Sequence, residues 1–227
     1  MHRLGDNSSH IPLETSPLFS IIQAAGWPIW LLIVCSIVAL ALIIERFISL
    51  KTAKVAPPRL LDEAISVSRN GVPEAKVVQQ LEQNSALGEV LASGFRALNN
   101  NPRCTEDDLR AHMEGTGRIV THKLERYLAA LGTIASLAPL MGLFGTVVGM
   151  IEIFGSQAPT AGGGQGGNPQ QLAHGISVAL YNTAFGLMVA IPALISWRYF
   201  RGRVDEYILN LELASDRFAR HLLSLRK

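Results

Sequence analysis

Charge is what this chain has least of. Only 17% of its 227 residues are Asp, Glu, Lys or Arg, against about a quarter in soluble domains. The deficit is local: residues 16–44, 127–151 and 175–197 hold no charged side chain at all. Each window reaches the roughly 20 residues a helix needs to cross a bilayer core, which excludes an ordinary soluble fold. Cysteine is scarce as well. Cys35 and Cys104 offer neither a disulfide framework nor metal-ligand spacing; Cys35 reads as a packing residue in a span and Cys104 as a surface thiol in a basic loop. No cofactor or metal is expected. The first sixteen residues are polar, with Asp6 and Glu14, and no small-residue cleavage pattern follows the apolar stretch. A signal peptide is therefore not expected, and the first apolar segment should stay in the mature protein.

The span interiors also hold no Asp, Glu, Lys, Arg or His. Glu45, Glu152 and His174 sit only at span ends. A chain that relayed protons unaided would carry such a group inside the membrane. Either it moves no protons, or a partner helix supplies the acid. The same absence argues against a membrane enzyme, because Ser136, Ser177 and Ser196 have no base in a span to activate them. A purely structural scaffold stays open on these grounds.

What charge there is gives an orientation. Lys and Arg number one before the first span, twelve between the first and second, none between the second and third, and seven after the third. Basic residues mark the cytoplasmic side of short loops. The N-terminus is therefore expected outside, the large loop inside, the short loop outside and the C-terminus inside. Trp27 and Trp30, then Trp197 and Tyr199, read as interfacial anchors. The expected organisation is all-α. A periplasmic segment (1–19) precedes span one (20–44), and a cytoplasmic helical domain (45–126) leads to span two (127–151). A periplasmic Gly-rich loop (152–174), span three (175–197) and a cytoplasmic helix (198–227) follow.

Within the large loop, residues 59–69 and 74–98 show apolar residues at helical spacing, and Asn99 to Pro102 reads as a turn. Thr105 followed by Glu106, Asp107 and Asp108 reads as a helix start. That helix is expected to run unbroken into span two. Val204, Ile208, Leu211, Ser215, Phe218, Leu222 and Leu225 alternate by four and three, a packing stripe below the membrane. The run from Gly162 to Gly167 carries no Lys and reads as a flexible linker, not a phosphate loop.

Small and polar residues inside spans carry the remaining information. Gly142, Gly145 and Gly149 share one face of span two; Ala179, Thr183, Gly186 and Ala190 recur at similar spacing in span three. Each smooth face holds one mid-membrane hydroxyl, Thr146 or Thr183. These hydroxyls either bond their own helices or serve a polar path.

The stretch Ala138-Pro139-Leu140-Met141-Gly142-Leu143-Phe144-Gly145-Thr146-Val147-Val148-Gly149-Met150 resembles the second-span signature of the ExbB/TolQ/MotA proton channel family. Asn182 to Ala193 resembles its third-span signature, and Glu45-Arg46 closing span one is similar too. The resemblance implies a ring, a homopentamer, in the bacterial inner membrane, with spans two and three lining a pore. An ExbD/TolR-like single-span dimer would sit in that pore. Its aspartate would face Thr146 and Thr183, with Ser177 nearby, and a TonB- or TolA-like protein would be energised. TonB-dependent outer-membrane transport is the implied service, and a TolQ-like role in the Tol-Pal system is the alternative. Flagellar stator subunits usually have four spans. The membrane is the other partner, and no nucleic acid is expected. One departure stands out: enteric members carry a glutamate five residues before the third-span threonine, where this chain has Val178.

Overall fold

The computed structural model describes residues 26–69, 71–156 and 169–224. Every element among them is a helix: α1 (Pro28–Ser49), α2 (Thr52–Val55), α3 (Leu60–Ser68), α4 (Ala75–Asn84), α5 (Ala86–Asn100), α6 (Glu106–Glu125), α7 (Leu128–Ser156) and α8 (Pro169–Ser224). Three helices are long and apolar enough to cross a membrane: α1, the continuation of α6 through α7, and α8. The expected segment 1–19 and most of the Gly-rich loop lie outside the described residues.

Helix α1 begins where Gly26 takes a positive φ of 76° and Pro28 occupies the first helical position, where its missing N–H costs nothing. It runs on past residue 44 through Glu45 and Arg46. Helix α6 starts on a capping box. The Thr105 hydroxyl accepts from the Asp108 N–H at 3.1 Å, and the Asp108 carboxylate accepts from the Thr105 N–H at 3.1 Å.

The chain packs as two compact units, one from Met1–Cys35 with Leu137–Val189, the other from Ser36–Ser136 with Ala190–Lys227. The second holds the larger core. Leu91, Phe95, Leu109, Met113, Phe200, Val204, Phe218 and Leu222 are all buried there. Phe95 and Phe218 meet edge to face with centroids 5.0 Å apart. Burying a side chain of this size contributes about 1.5–3 kcal/mol. The stripe on α8 is thus used within the chain, with Val204, Leu211, Phe218 and Leu222 buried and Ile208 packed against them. Leu225 lies outside the described residues.

One expectation is corrected here, that of Cys104 as a surface thiol. Residues 74–98 fall in two helices, α4 and α5. Ser85 is extended (φ −162°, ψ 167°) and caps α5, its hydroxyl accepting from the Gly88 N–H at 3.0 Å. A serine cap competes with helix continuation because it satisfies a terminal N–H. The helix begun at Thr105 continues into span two, as expected, through a two-residue turn at Arg126 and Tyr127, where Arg126 keeps helical dihedrals (φ −44°, ψ −45°). There the buried Arg46 donates through Nη1 to the Leu124 carbonyl at 2.9 Å and lies 4.8 Å from the Tyr127 ring centroid. Cys104 is not a surface thiol: a turn closed by its N–H to the Asn101 carbonyl, 3.0 Å, tucks it into the core.

Two polar contacts tie distant parts of this unit together. Tyr207 donates its one hydroxyl proton to the Leu50 carbonyl at 2.9 Å. It therefore accepts from Arg203 at 3.0 Å and from Thr52 at 3.1 Å. Ser68 donates to the Ile65 carbonyl at 2.8 Å. It must then accept from His221 Nε2, 3.0 Å away, which fixes a proton on that nitrogen.

Candidate functional site

The first unit joins α7 to α8 through small residues. Gly142 and Gly145 of α7 and Gly186 of α8 are buried. A Cβ at Gly142 would lie 2.8 Å from the Asn182 carbonyl oxygen and 3.0 Å from the Thr183 Cα; one at Gly186 would lie 2.7 Å from the Ala138 carbonyl oxygen. Only hydrogen at these positions allows so close an approach of backbones. A Cβ at Gly149 would lie 3.4 Å from the Ala179 Cβ, ordinary contact. Ala179 and Ala190 are buried.

The two threonines differ. Thr146 is half-buried and donates to the Leu143 carbonyl of its own helix at 2.6 Å. Thr183, also half-buried, donates across the helix pair to the Gly142 carbonyl at 3.3 Å. In an α-helix the Gly142 carbonyl is also the acceptor for the Thr146 N–H. One turn of α7 therefore anchors both threonines, although they lie on different helices. Each hydroxyl has its proton committed to a carbonyl and keeps oxygen lone pairs for accepting. Ser177 is exposed and bonds the Ala173 carbonyl at 3.0 Å, so the structure does not draw it into this turn. The side chain of Val178 lies outside the described residues.

Asn182 is the residue that sequence reasoning passed over. It is 1% exposed, in the middle of a charge-free span. Its Cβ, Cγ and Nδ2 would stand 2.8, 2.9 and 3.0 Å from a Cβ at Gly145, so the amide occupies the hollow that glycine leaves. The available signal was a buried-type position, four before Gly186 and three after Ala179, filled by a polar amide. Among the described residues no group of three His, Cys, Asp or Glu could hold a metal. The arrangement can bind and relay hydrogen bonds, but it brings no carboxylate into the spans.

The sequence pattern of the MotA/TolQ/ExbB proton channel family matches residues 82–213, more than half of the chain. The chain belongs to that family. Among its relatives, the Tol-Pal system protein TolQ of Pseudomonas aeruginosa is 28% identical over 221 residues, 91% of this chain and 92% of the relative. Biopolymer transport protein exbB1 of Vibrio cholerae is 28% identical over 191 residues, 84% and 82% of the two chains. The ExbB of Salmonella typhimurium is 36% identical over 105 residues, 41% of each. A family member with three membrane-length apolar helices is a membrane protein, and its place is that of a proton-channel energiser subunit.

Proposed function

We propose that the chain is the ring-forming subunit of an ExbB-ExbD type motor in the bacterial inner membrane, using the proton motive force to energise TonB-dependent outer-membrane transport. Its N-terminus is periplasmic; its large helical loop and C-terminus are cytoplasmic, as the basic residues indicate. The ring is a pentamer around a single-span, ExbD/TolR-like dimer whose carboxylate works against Thr146 and Thr183, with Ser177 further along the path. A TonB- or TolA-like protein receives the work.

The observation that carries this reading is the single turn of α7 that anchors both mid-span threonines, in spans that have no acid of their own. A carboxylate inside a membrane needs neighbours that serve both of its protonation states, since desolvation disfavours the charged one. A hydroxyl donates to the ionised form and accepts from the protonated form. Thr146→Val and Thr183→Val should each give an assembled complex with little proton-driven work. If both variants assemble and work at wild-type rates, the hydroxyls are structural and the site is wrong. For the topology, a cysteine in the Gly162–Gly167 loop should react with an impermeant maleimide from the periplasmic side.

The near-full-length alignment with a TolQ supports a second service, in the Tol-Pal system. Deletion in the host separates the two. Loss of TonB-dependent outer-membrane uptake points to TonB, whereas an envelope defect with intact uptake points to Tol-Pal.

A further inference from the structure

On the part of α8 that follows the apolar span, two leucines stand out. Leu209 and Leu213 are 55% and 53% exposed, among Asp205, Glu206, Glu212, Asp216 and Arg217. At roughly 100° per residue they share a ridge about a third of a turn away from the face of α8 that lines a groove against α6. That groove measures about 610 Å³ and is floored by Met113, Gly117, Leu211 and Ala219. Gly117 leaves a hole in it, because a Cβ there would meet nothing within 4 Å.

Two ion pairs give the register of α6 and α8. Arg201 meets Glu125 at 3.0 Å and Arg110 meets Asp216 at 3.8 Å. Both steps are fifteen residues, so the helices run antiparallel with a one-for-one register. Eight residues beyond Arg201, Leu209 is level with Gly117; four further on, Leu213 is level with Met113. Arg220 is level with Glu106, and Glu206 lies within two residues of the level of Arg118. Ridge and groove therefore match in height and in apolar character, and these two pairs of opposite charge fall at matching levels, although Glu114, Glu212 and Asp216 also line the groove; ridge and groove lie on different faces of the same chain. Copies arranged around an axis along the membrane normal keep their heights, so a ridge and a groove on separate faces make the head-to-tail contact that closes a ring.

We propose that Leu209 and Leu213 of one copy seat in the α6–α8 groove of the next, with Leu209 entering the hole at Gly117. This rests on the ring reading above and assigns it a contact outside the membrane. The test is disulfide trapping in membranes, with the wild-type chain and its own Cys35 and Cys104 as background. Gly117→Cys with Leu209→Cys in one chain should give a ladder of linked multimers on mild oxidation. Either change alone should stay at background, and so should Ile119→Cys with Leu209→Cys, since Ile119 is exposed but faces away from the groove. A Cβ at position 117 meets nothing within 4 Å, so Gly117→Leu puts its side chain into the hole. The oligomer should then dissociate at a concentration about tenfold or more higher, as expected when one leucine loses its burial. Linking by Leu209→Cys alone means a two-fold contact and overturns the proposal. So does an unlinked double-cysteine pair in a sample whose native mass is oligomeric; the ring reading then survives. A monomeric wild type in lipid removes both.

Discussion

A methyl group added at position 186 would press on the Ala138 carbonyl at 2.7 Å and on the Gly142 Cα at 3.0 Å, atoms that belong to a backbone and cannot swing aside. Gly186→Ala is therefore expected to cost about 1–3 kcal/mol, read as a lower urea midpoint in detergent. Gly115→Ala, with nothing within 4 Å, should gain up to about 1 kcal/mol from helix propensity in the same assay. Arg46 makes a different case. Its guanidinium is 3% exposed and satisfies the Leu124 carbonyl, so Arg46→Met should lose about 1–3 kcal/mol by orphaning that oxygen. Cys104 is 5% exposed and, in a Cys35→Ser chain that leaves it the one cysteine, should take up N-ethylmaleimide only after denaturation, visible as one added mass. The sequence singled out the glycines by their spacing. It did not reveal Asn182 or the bond from Thr183 to Gly142, because spacing along one helix says which residues share a face but not which residue of another helix fills it.

At the scale of elements, caps were legible where a hydroxyl preceded a run of acids and hidden where it did not. Thr105 was readable for that reason; Ser85 sat inside an apolar period and was not. Ser85→Ala should cost about 1 kcal/mol, with faster amide exchange confined to the first turn of α5. The cap of α6 adds a pH dependence. The Asp108 carboxyl is held below its ordinary range first by the Thr105 hydroxyl and then by the Thr105 N–H. A carboxyl lowered in the folded state contributes stability that is complete above its unfolded value, near 3.8, and is lost as pH falls through the lower folded value. Exchange in the first turn of α6 should therefore quicken below pH 3.8 in the wild type. Thr105→Val should exchange fast throughout and lose most of that step.

At the scale of the molecule, the helical class and the three membrane-length helices were legible from where charge is absent, since a bilayer forbids what water tolerates. The core of the second unit was not. Its pairings join α5 to the far end of α8, and no period in either segment names the other. Such pairings also set an order of events. Ser68 meets His221 across 153 residues, and Tyr207 meets Leu50 across 157. Synthesis runs from N to C, so α3 and α5 are made well before α8 and wait with Phe95 uncovered. An apolar face left open on a growing chain invites aggregation or a holding chaperone. The later helix is thus a latch as well as a span, and this unit closes only after the third apolar segment has left the ribosome.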